Sequence, residues 1–330
     1  MRYAGAISWP VLPAESLRGL HAGNRKRTFA LCCVVDAQPR FYVECVLWSL
    51  CARRNLPDQF KPFVYAVGDV PHDLLDWVAN QGVEVRSAAA VVEGSPHSNK
   101  IAPLLAAHDA DFTVVCDTDL YWVSDPSHLL ASERVRAAPN NHANPPPRIF
   151  KSILSACGLE RPYRPGMALF TGIEGIRETH INNISAGIVV APRARAHALA
   201  QIWRKWAVWL VRNRHLLERW AVHVDQVGFA LAMEELGEDV EHLSPHVNTV
   251  LHLLGEISTC YALHLTTGHI PQFPKLFSAD RTLVVDGLAE GVRAALSRLN
   301  GLIPEAIEVI ASLPSTRAHL DKFLNPAWVR

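Results

Sequence analysis

Two aspartates separated by one residue follow a short apolar run near the middle of the chain. Asp117 and Asp119 come directly after Phe112–Cys116, in the segment FTVVCDTDLYWVSDP. In an extended chain, positions i and i+2 face the same side, so both carboxylates can approach one ligand. Carboxylate oxygens suit Mg²⁺ or Mn²⁺, which keep coordination positions for phosphate oxygens. The pair therefore predicts a divalent cation site, with a polar strand end as the alternative.

A second group with ligand chemistry lies late in the chain, in the segment YALHLTTGHIPQFPK. His264 and His269 flank a Thr-Thr-Gly turn that contains Gly268. A neutral imidazole can bind Mn²⁺, and a turn with glycine can bring backbone N–H groups near a diphosphate. The residues leave open which histidine would be the ligand, and a hydrogen-bonded structural histidine is the alternative for His264.

The first half of the chain alternates short apolar runs with helical spacings, a pattern typical of a mainly parallel α/β sheet. Strands are predicted over 28–35, 61–67, 83–86 and 112–116, and helices over 41–54, 73–81 and 101–108. Ligands bind beyond the carboxyl ends of such strands. Asp36 and Asp117 each follow a predicted strand directly, so we expect a cleft lined by both.

The second half is less regular. Asparagines and prolines over 136–170 predict a long loop. A strand is expected over Ile184–Ala191, one helix over Ala196–Trp220 and another over Asp225–Leu236. Residues 280–330 indicate two or three short helices separated by Gly301 and Pro314.

Composition excludes some classes of protein. Of the 330 residues, 49% are apolar and 19% are charged, as in a globular chain. Lys plus Arg equals Asp plus Glu at 32 each, so the chain has no general positive field for a nucleic acid partner.

The predicted compartment is the cytoplasm. The longest apolar runs fall short of the roughly 20 residues of a spanning helix, so no transmembrane segment is expected. Residues 1–27 contain Pro10, Pro13 and Glu15, where a signal peptide needs an apolar stretch. The seven cysteines form no C-x-x-C pair, which favours reduced thiols.

The segment from Trp203 to Trp220 mixes tryptophans with Arg and Lys. This mixture is compatible with a peripheral membrane contact. A core helix with a basic outer face explains it as well, and we favour that interpretation.

Five short motifs, taken in order, resemble those of nucleotide-sugar glycosyltransferases with the GT-A fold, especially the branch of glycogenin and bacterial lipopolysaccharide galactosyltransferases. They are Val34-Val35-Asp36, Asp117-Thr118-Asp119, NISAGIV from Asn183 to Val189, Asp225-Gln226, and His264 with Gly268. The chain departs from the family pattern in three places. Ser185 replaces an Asn, the turn after His264 is one residue longer, and Pro274-Lys275 replaces Lys-Pro.

The resemblance implies a fold and an activity. The fold is α/β of the GT-A (Rossmann-like) type, with a mixed, mainly parallel sheet flanked by helices. The domain would span 28–279, after an N-terminal lead over 1–27 and before a helical C-terminal extension over 280–330 packed on the same domain. The activity is metal-dependent transfer of a sugar from a nucleoside diphosphate sugar, with UDP favoured over GDP, to a glycan, lipid or protein acceptor.

The resemblance also implies roles for residues. Asp117, Asp119 and His264 would bind Mn²⁺ or Mg²⁺, Asp225 and Gln226 would be catalytic, and the donor would contact Val35, Asp36, Ala37, Lys100, Asp117, Thr118 and Gly268. A cation beside the diphosphate stabilises the charge that develops on the leaving group. Lys100 would add positive charge at a helix start, unless it is a solvated surface lysine. Asp225 would act as a base or orient the sugar, with a helix N-cap as the alternative.

Three other classes of protein share part of this pattern. A haloacid dehalogenase-like phosphatase uses the first Asp of D-x-D as nucleophile, but its later motif, which Gly68-Asp69 to Asp73 resembles, here precedes Asp117. A sugar-phosphate nucleotidylyltransferase needs a Gly-rich, Arg-containing loop that is missing after Val35. A nucleotide-sugar-binding module of the same fold, without turnover, is the non-enzyme alternative.

Overall fold

The structure, a computed structural model, describes residues 26–159, 161–250, 257–265 and 288–317. The first half contains, in order, β1 (Phe29–Asp36), α1 (Pro39–Asn55), β2 (Phe60–Val67), α2 (His72–Asn80), β3 (Glu84–Ala88), a 3₁₀ helix (Pro96–Ile101), α3 (Ala102–Leu105), β4 (Phe112–Cys116) and β5 (Leu120–Trp122). The second half contains α4 (Ser127–Leu130), β6 (Arg136–Pro139), α5 (Pro147–Cys157), β7 (Pro165–Met167), β8 (Glu178–His180), β9 (Ile184–Pro192), α6 (Arg193–Arg212), a 3₁₀ helix (Arg214–His223), α7 (Val224–Leu236), β10 (Glu241–His242), a 3₁₀ helix (Pro245–Val247), β11 (Thr249–Val250), β12 (Ala262–His264) and α8 (Glu290–Ser312).

The central sheet has seven strands in the order β10-β6-β9-β4-β1-β2-β3. β1 pairs in parallel with β2 and β4, and β2 pairs in parallel with β3, whereas β9 runs antiparallel to β4 and β6. Helices cover both faces, which explains why β1 and β4 are almost continuously apolar. The predicted mainly parallel α/β sheet is confirmed.

The two faces of the sheet bury two separate cores. Phe29, Leu31 and Val35 face the core that includes Trp48 of α1 and Leu299 of α8. Ala30 and Cys32 face the other core, which the tryptophans of α6 fill. This alternation along β1 follows from the two-residue period of a strand.

A second sheet carries the late histidine to the end of β4. Its three strands are in the order β11-β12-β5, and β12 runs antiparallel to β5. In this register His264 lies opposite Leu120. The backbone N–H of Leu265 donates to the Asp119 carbonyl at 2.9 Å. The pairing therefore places His264 beside the D-T-D segment.

The structure differs from the predictions for 136–170 and for 101–108. Residues 136–170 contain β6, α5 and β7 instead of one long loop. The buried positions Ile149, Phe150, Ile153 and Leu154 have helical spacing, and Pro147 stands in the first turn of α5, where proline is tolerated. The helix predicted over 101–108 is shorter than expected, since a 3₁₀ helix ends at Ile101 and α3 covers only Ala102–Leu105.

The helix predicted over Ala196–Trp220 is also interrupted. α6 ends at Arg212, and the chain continues as a 3₁₀ helix in which Glu218 has a positive φ of 50°. The side chain of Asn213 donates to the Trp209 carbonyl at 2.8 Å. Such local bonds from Asn compete with continued helix.

Between 288 and 317, the structure has one long helix where shorter ones were expected. α8 runs through Gly301 and Pro304 without interruption, and a break comes only at Leu313 before a helical turn over 314–317. α8 packs against α1, where Arg54 and Glu305 form an ion pair at 2.9 Å. The domain boundaries at 27 and 280 stay predictions.

Within the described ranges, no helix is long and apolar enough to cross a membrane. All seven cysteines are free thiols, and six of them are buried.

Candidate active site

The D-T-D aspartates and His264 converge at the carboxyl end of β4. One ligand atom from each of Asp117, Asp119 and His264 lies within 4.8 Å of the others. His264 Nε2 is 3.2 Å from Asp119 Oδ1 and 3.9 Å from Asp117 Oδ2. Asp119 and His264 are buried, and Asp117 is half-buried.

The His264 ring is oriented from behind. Its Nδ1–H donates to Asn248 Oδ1 at 2.9 Å, which leaves Nε2 directed toward the two aspartates. Gly187 of β9 makes room for the ring, since a Cβ there would lie 2.5 Å from His264 Cε1. The same glycine accepts the Asp117 backbone N–H through its carbonyl at 3.0 Å. The orientation of His264 thus depends on two residues distant in sequence.

Mutual attraction shifts the pKa values of the buried pair. Burial alone would raise the pKa of Asp119, but the charge and hydrogen bond of His264 lower it below its usual range. Burial would also lower the pKa of His264, but Asp119 raises it above its usual value. Two carboxylates and an imidazole that converge in this way provide the donor set of a Mn²⁺ or Mg²⁺ site. The residues present therefore fit a divalent cation.

Lys100 connects the aspartate pair to a third carboxylate. Its Nζ donates to Asp117 Oδ1 at 2.8 Å and to the Ala186 carbonyl at 3.0 Å, and it lies 3.4 Å from Asp225 Oδ2. Burial works against the charged amine, but Asp117 and Asp225 raise the pKa of Lys100 well above its usual value. Lys100 is therefore a permanent cation between two carboxylates.

A buried carboxyl group lies behind the aspartate pair. Glu44 of α1 has no exposed surface. It accepts hydrogen bonds from Arg40 Nε at 2.6 Å and from Thr118 Oγ1 at 2.7 Å. Burial and the charge of Asp119 raise the pKa of Glu44 to about 7, against the opposing attraction of Arg40. Arg40 also lies 3.5 Å from Asp119, so it faces both carboxylates.

A cleft of about 120 Å³ opens in front of these groups. Its lining includes Asp36, Arg40, Lys100, Asp117 and Asp119. Burial raises the pKa of Asp36, although the hydrogen bond that Asn99 Nδ2 donates to it at 2.7 Å acts in the opposite direction. The carboxyl ends of β1 and β4 therefore meet in one cleft, as expected.

Asp225 and Gln226 begin α7 on the far side of Lys100. Asp225 is buried, and its carbonyl accepts the indole N–H of Trp203 at 2.8 Å. The Oε1 atom of Gln226 is buried without a well-formed hydrogen bond among the described residues, although the Gln226 side chain interacts with His223. Asp225 and Gln226 are not among the residues that line the cleft, and Asp225 is linked to it through Lys100.

The structure brings most of the predicted residues together, but not all. Asp36, Lys100, Asp117, Thr118 and Asp119 line the cleft. Two predicted donor-binding residues do not: the Val35 side chain lies in the core, and Ala37 is exposed outside the lining. The side chain of Thr118 points to Glu44. Gly268 and His269 lie outside the described residues, so the rivalry between His264 and His269 stays open.

Several site residues were not found from the sequence. Arg40 and Glu44 are spaced i,i+4 on α1, which is a signal for an ion pair but not for its position. Asn99 directly precedes Lys100 and could have been grouped with it. Asn248 carried no local signal, because its role depends on a contact with His264 across the second sheet.

The family model described as the Rhodobacterales glycosyltransferase domain matches residues 32–237, which is more than half of the chain. The chain belongs to this family. The match includes β1 from residue 32 onward, the D-T-D segment and all of α7, so this glycosyltransferase carries Lys100, Asp117 and Asp225 within its family domain. His264 and Asn248 lie beyond the match.

Solved structures show the same fold for this glycosyltransferase. The galactosyltransferase LgtC, in complex with donor and acceptor sugar analogues, aligns with a TM-score of 0.51 and 12% identity over 82% of this chain and 95% of that chain. An active-site mutant of LgtC aligns with a TM-score of 0.52, also at 12% identity, with the same shares of both chains covered. The likeness shows the GT-A fold. No curated protein sequence matches the chain significantly.

Proposed function

We propose that this glycosyltransferase transfers a sugar from a nucleoside diphosphate sugar and requires Mn²⁺ or Mg²⁺ held by Asp117, Asp119 and His264. The observation that carries the proposal is the convergence of these three side chains within 4.8 Å at the mouth of the cleft. UDP is favoured over GDP because of the resemblance to UDP-sugar enzymes. The acceptor is a glycan, a lipid or a protein.

Charge in the cleft suits a diphosphate leaving group. A divalent cation at this site supplies electrostatic stabilisation of the charge that develops on the diphosphate. Lys100 adds a second positive charge, and its position between Asp117 and Asp225 keeps it directed into the site. Arg40, beside Asp119, is a third cation in the same cleft.

Asp225 and Gln226 are proposed to act on the sugar. Asp225 is held near Lys100, so its carboxylate is placed to orient a sugar hydroxyl or to act as base toward an acceptor hydroxyl. The Oε1 atom of Gln226 would take a hydroxyl hydrogen bond. The free thiols of all seven cysteines support a reducing compartment, which makes the cytoplasm the proposed location.

Calorimetric titration with UDP and GDP, in Mn²⁺ and in chelator, tests the donor site. We expect cation-dependent binding of one nucleotide, and loss of the cation dependence in Asp119→Asn. Asp125→Asn is the matched control, since Asp125 is exposed and lies outside the cleft. Nucleotide binding that is equal in chelator, or equal in Asp119→Asn, would contradict the cation site.

Turnover is tested with the nucleotide sugar that binds. The wild type should release the nucleoside diphosphate slowly in Mn²⁺ without acceptor, whereas Asp225→Asn should bind the donor and release less. Binding without any release, even with a panel of acceptors, would favour the non-catalytic module. Hydrolysis of sugar phosphates instead would favour the phosphatase alternative.

A further inference from the structure

The large apolar side chains that are most exposed in the described structure are concentrated in two segments. Met167, Ile173 and Ile176 lie in or between β7 and β8, and Val222 lies in the 3₁₀ helix Arg214–His223. Ile173 is 69% exposed and Val222 is 58% exposed. We refer to these four residues as the apolar rim. Clustered exposed apolar side chains are typical of an interaction site.

Ion pairs connect the two segments that carry the rim. Arg148, at the start of α5, pairs with Glu174 at 2.9 Å and with Glu218 at 2.7 Å. Arg219 lies 3.5 Å from the same Glu174. The loop between β7 and β8 is thus fixed beside the 3₁₀ helix, and Val222 follows three residues after Arg219. The rim is therefore a connected part of the surface.

A basic groove of about 640 Å³ lies along α6 and the end of α5. Its lining consists of Cys157, Gln201, Arg204, Lys205, Trp206, Val208, Trp209 and Arg212, without any carboxylate. Cys157 is the last residue of α5, the helix whose first turn carries Arg148. Arg212 of the lining ends α6, and after Asn213 the chain enters the 3₁₀ helix that carries Val222. The groove and the rim are therefore connected through α5 and through this 3₁₀ helix.

Two of the three cations in the groove form no ion pair with any carboxylate that the structure describes. Lys205 pairs with Glu235 at 2.7 Å. Arg204 donates through Nε to the Val91 carbonyl at 3.3 Å, and none of the ion pairs between described residues includes Arg204 or Arg212. From 193 to 217 the sequence contains six Arg or Lys residues and no Asp or Glu, but Arg193, Arg195 and Lys205 pair with Asp109, Glu238 and Glu235. Among the described residues, the unpaired positive charge of α6 is therefore that of Arg204 and Arg212.

We propose that the apolar rim and the basic groove together form a docking surface for an anionic lipid bilayer. Apolar side chains that enter the interface, next to Arg and Lys that meet lipid phosphates, are the two elements of peripheral membrane binding. Trp209 is half-buried and lines the groove against the buried Trp206, with ring centroids 5.8 Å apart, and a partly exposed tryptophan is favoured at the boundary between lipid and water. An acidic soluble partner would account for the groove but not for Ile173 and Val222.

Docking through the apolar rim and the basic groove would fix the orientation of the cleft relative to the lipid surface. The 3₁₀ helix that carries Val222 leads directly into Asp225 of α7. Arg214 of the same helix donates to the Gly94 carbonyl, close in sequence to Asn99 and Lys100. A protein held on a bilayer by the rim would therefore hold its cleft at a constant orientation to the lipid surface, whichever donor it uses.

Vesicle co-sedimentation without metal or nucleotide tests the proposal independently of the proposed function. The full chain is mixed with phosphatidylcholine vesicles that contain or lack phosphatidylglycerol. We expect binding only to the anionic vesicles, with a decrease as salt rises. The double variant Arg204→Glu with Arg212→Glu should bind at least about tenfold more weakly, since each cation near the surface contributes to attraction.

A second variant tests the apolar rim separately from the basic groove, and a control tests charge reversal elsewhere on the surface. Ile173→Ser with Val222→Ser should weaken binding most at high salt, where the apolar contact dominates. Lys61→Glu with Arg317→Glu reverses the same number of exposed charges elsewhere and should bind like the wild type. Circular dichroism melts show whether each variant folds.

Three outcomes would overturn the proposal. The first is equal binding of the wild type to neutral and anionic vesicles, or none to either. The second is competition by soluble glycerol phosphate at concentrations that leave salt effects unchanged, which would indicate a small-anion site. The third is a change of oligomeric state in the Arg204→Glu, Arg212→Glu variant with unchanged vesicle binding, which would indicate an interface between copies of this chain.

Discussion

The cation cluster depends on a hydrogen bond that the ligand residues do not themselves provide. His264 has two ring nitrogens, and only Nε2 faces the aspartates. The bond from Nδ1–H to Asn248 Oδ1 selects this tautomer and holds the ring. Partners behind a ligand tune affinity for the metal nearly as much as the ligand itself.

Replacing Asn248 should therefore weaken cation binding. We expect Asn248→Leu to bind Mn²⁺ about 10 to 100 times more weakly, as measured by calorimetry. Asn55→Leu is the matched control, because Asn55 also makes a side-chain hydrogen bond, which its Nδ2 donates at 2.9 Å to the Trp122 carbonyl, but it lies outside the cluster. An unchanged Mn²⁺ affinity in Asn248→Leu would show that the bond does not orient the ring.

Glu44 should make stability depend on pH. Its pKa rises from 4.5 to about 7 on folding, so the folded state binds the proton more tightly than the unfolded state. The contribution of Glu44 to stability is then fully present below pH 4.5 and is lost as the pH rises through about 7. Glu44→Gln imitates the protonated form of the side chain. In this variant, the decrease in the free energy of unfolding with rising pH should be smaller by on the order of 1 to 3 kcal/mol.

Thermal melts of the metal-free wild type and of Glu44→Gln between pH 5 and pH 8 measure the difference. His264 also loses a stabilising interaction as the pH rises through its raised pKa, but it does so in both proteins. Asp119 acts in the opposite direction and at lower pH, since its lowered pKa removes stability only as the pH falls through that pKa. Parallel curves for the two proteins would contradict the assignment to Glu44.

At the scale of elements, glycine is required by a close contact in β9 but not in α8. Gly187 touches His264 so closely that a Cβ would lie 2.5 Å from the ring. Gly301 lies inside α8 with nothing within 4 Å of a Cβ. Glycine in an open helical position only lowers helix stability relative to alanine.

Matched alanine substitutions should thus give opposite results. Gly301→Ala should raise stability by about 0.5 to 1 kcal/mol, seen as a higher melting temperature, and leave Mn²⁺ affinity unchanged. Gly187→Ala should displace the His264 ring and reduce Mn²⁺ affinity. A loss of stability in Gly301→Ala would indicate a contact at this position from residues outside the described ranges.

At the scale of the whole molecule, the C-terminal helix α8 is expected to unfold together with the sheet. Leu299 of α8 has no exposed surface and belongs to the core that contains Phe29 and Trp48. Arg298 donates to the Val123 carbonyl at 2.7 Å, close to β5 and the D-T-D segment. These contacts predict a single domain.

Leu299→Ala should destabilise the entire protein by about 2 to 5 kcal/mol, because it leaves a cavity in the shared core. Unfolding followed by tryptophan fluorescence and by circular dichroism should keep one common midpoint, as in a two-state transition. Glu308→Ala, at an exposed position of the same helix, should change stability by less than about 0.5 kcal/mol. Two separate midpoints would show that α8 unfolds on its own.

The local pattern of apolar residues was sufficient to predict much of the fold. The buried runs of β1, β2 and β4, and the alternation of strands with helices, predicted a parallel sheet because a strand covered on both faces must be apolar throughout. The boundaries were less accurate where prolines stood inside structured segments. Pro147 and Pro304 both lie within helices, since favourable burial of neighbouring residues outweighs the local preference.

The sequence by itself determined the chemistry that can occur here: two aspartates at the end of a strand, a lysine near a helix start and an aspartate at the start of another helix. Only the tertiary structure decided which distant groups join them. Asn248, Gly187 and Glu44 act through contacts across the sheets, and the apolar rim exists because ion pairs bring two separate segments together. Contacts between residues far apart in sequence depend on strand register and helix packing, which no local pattern encodes.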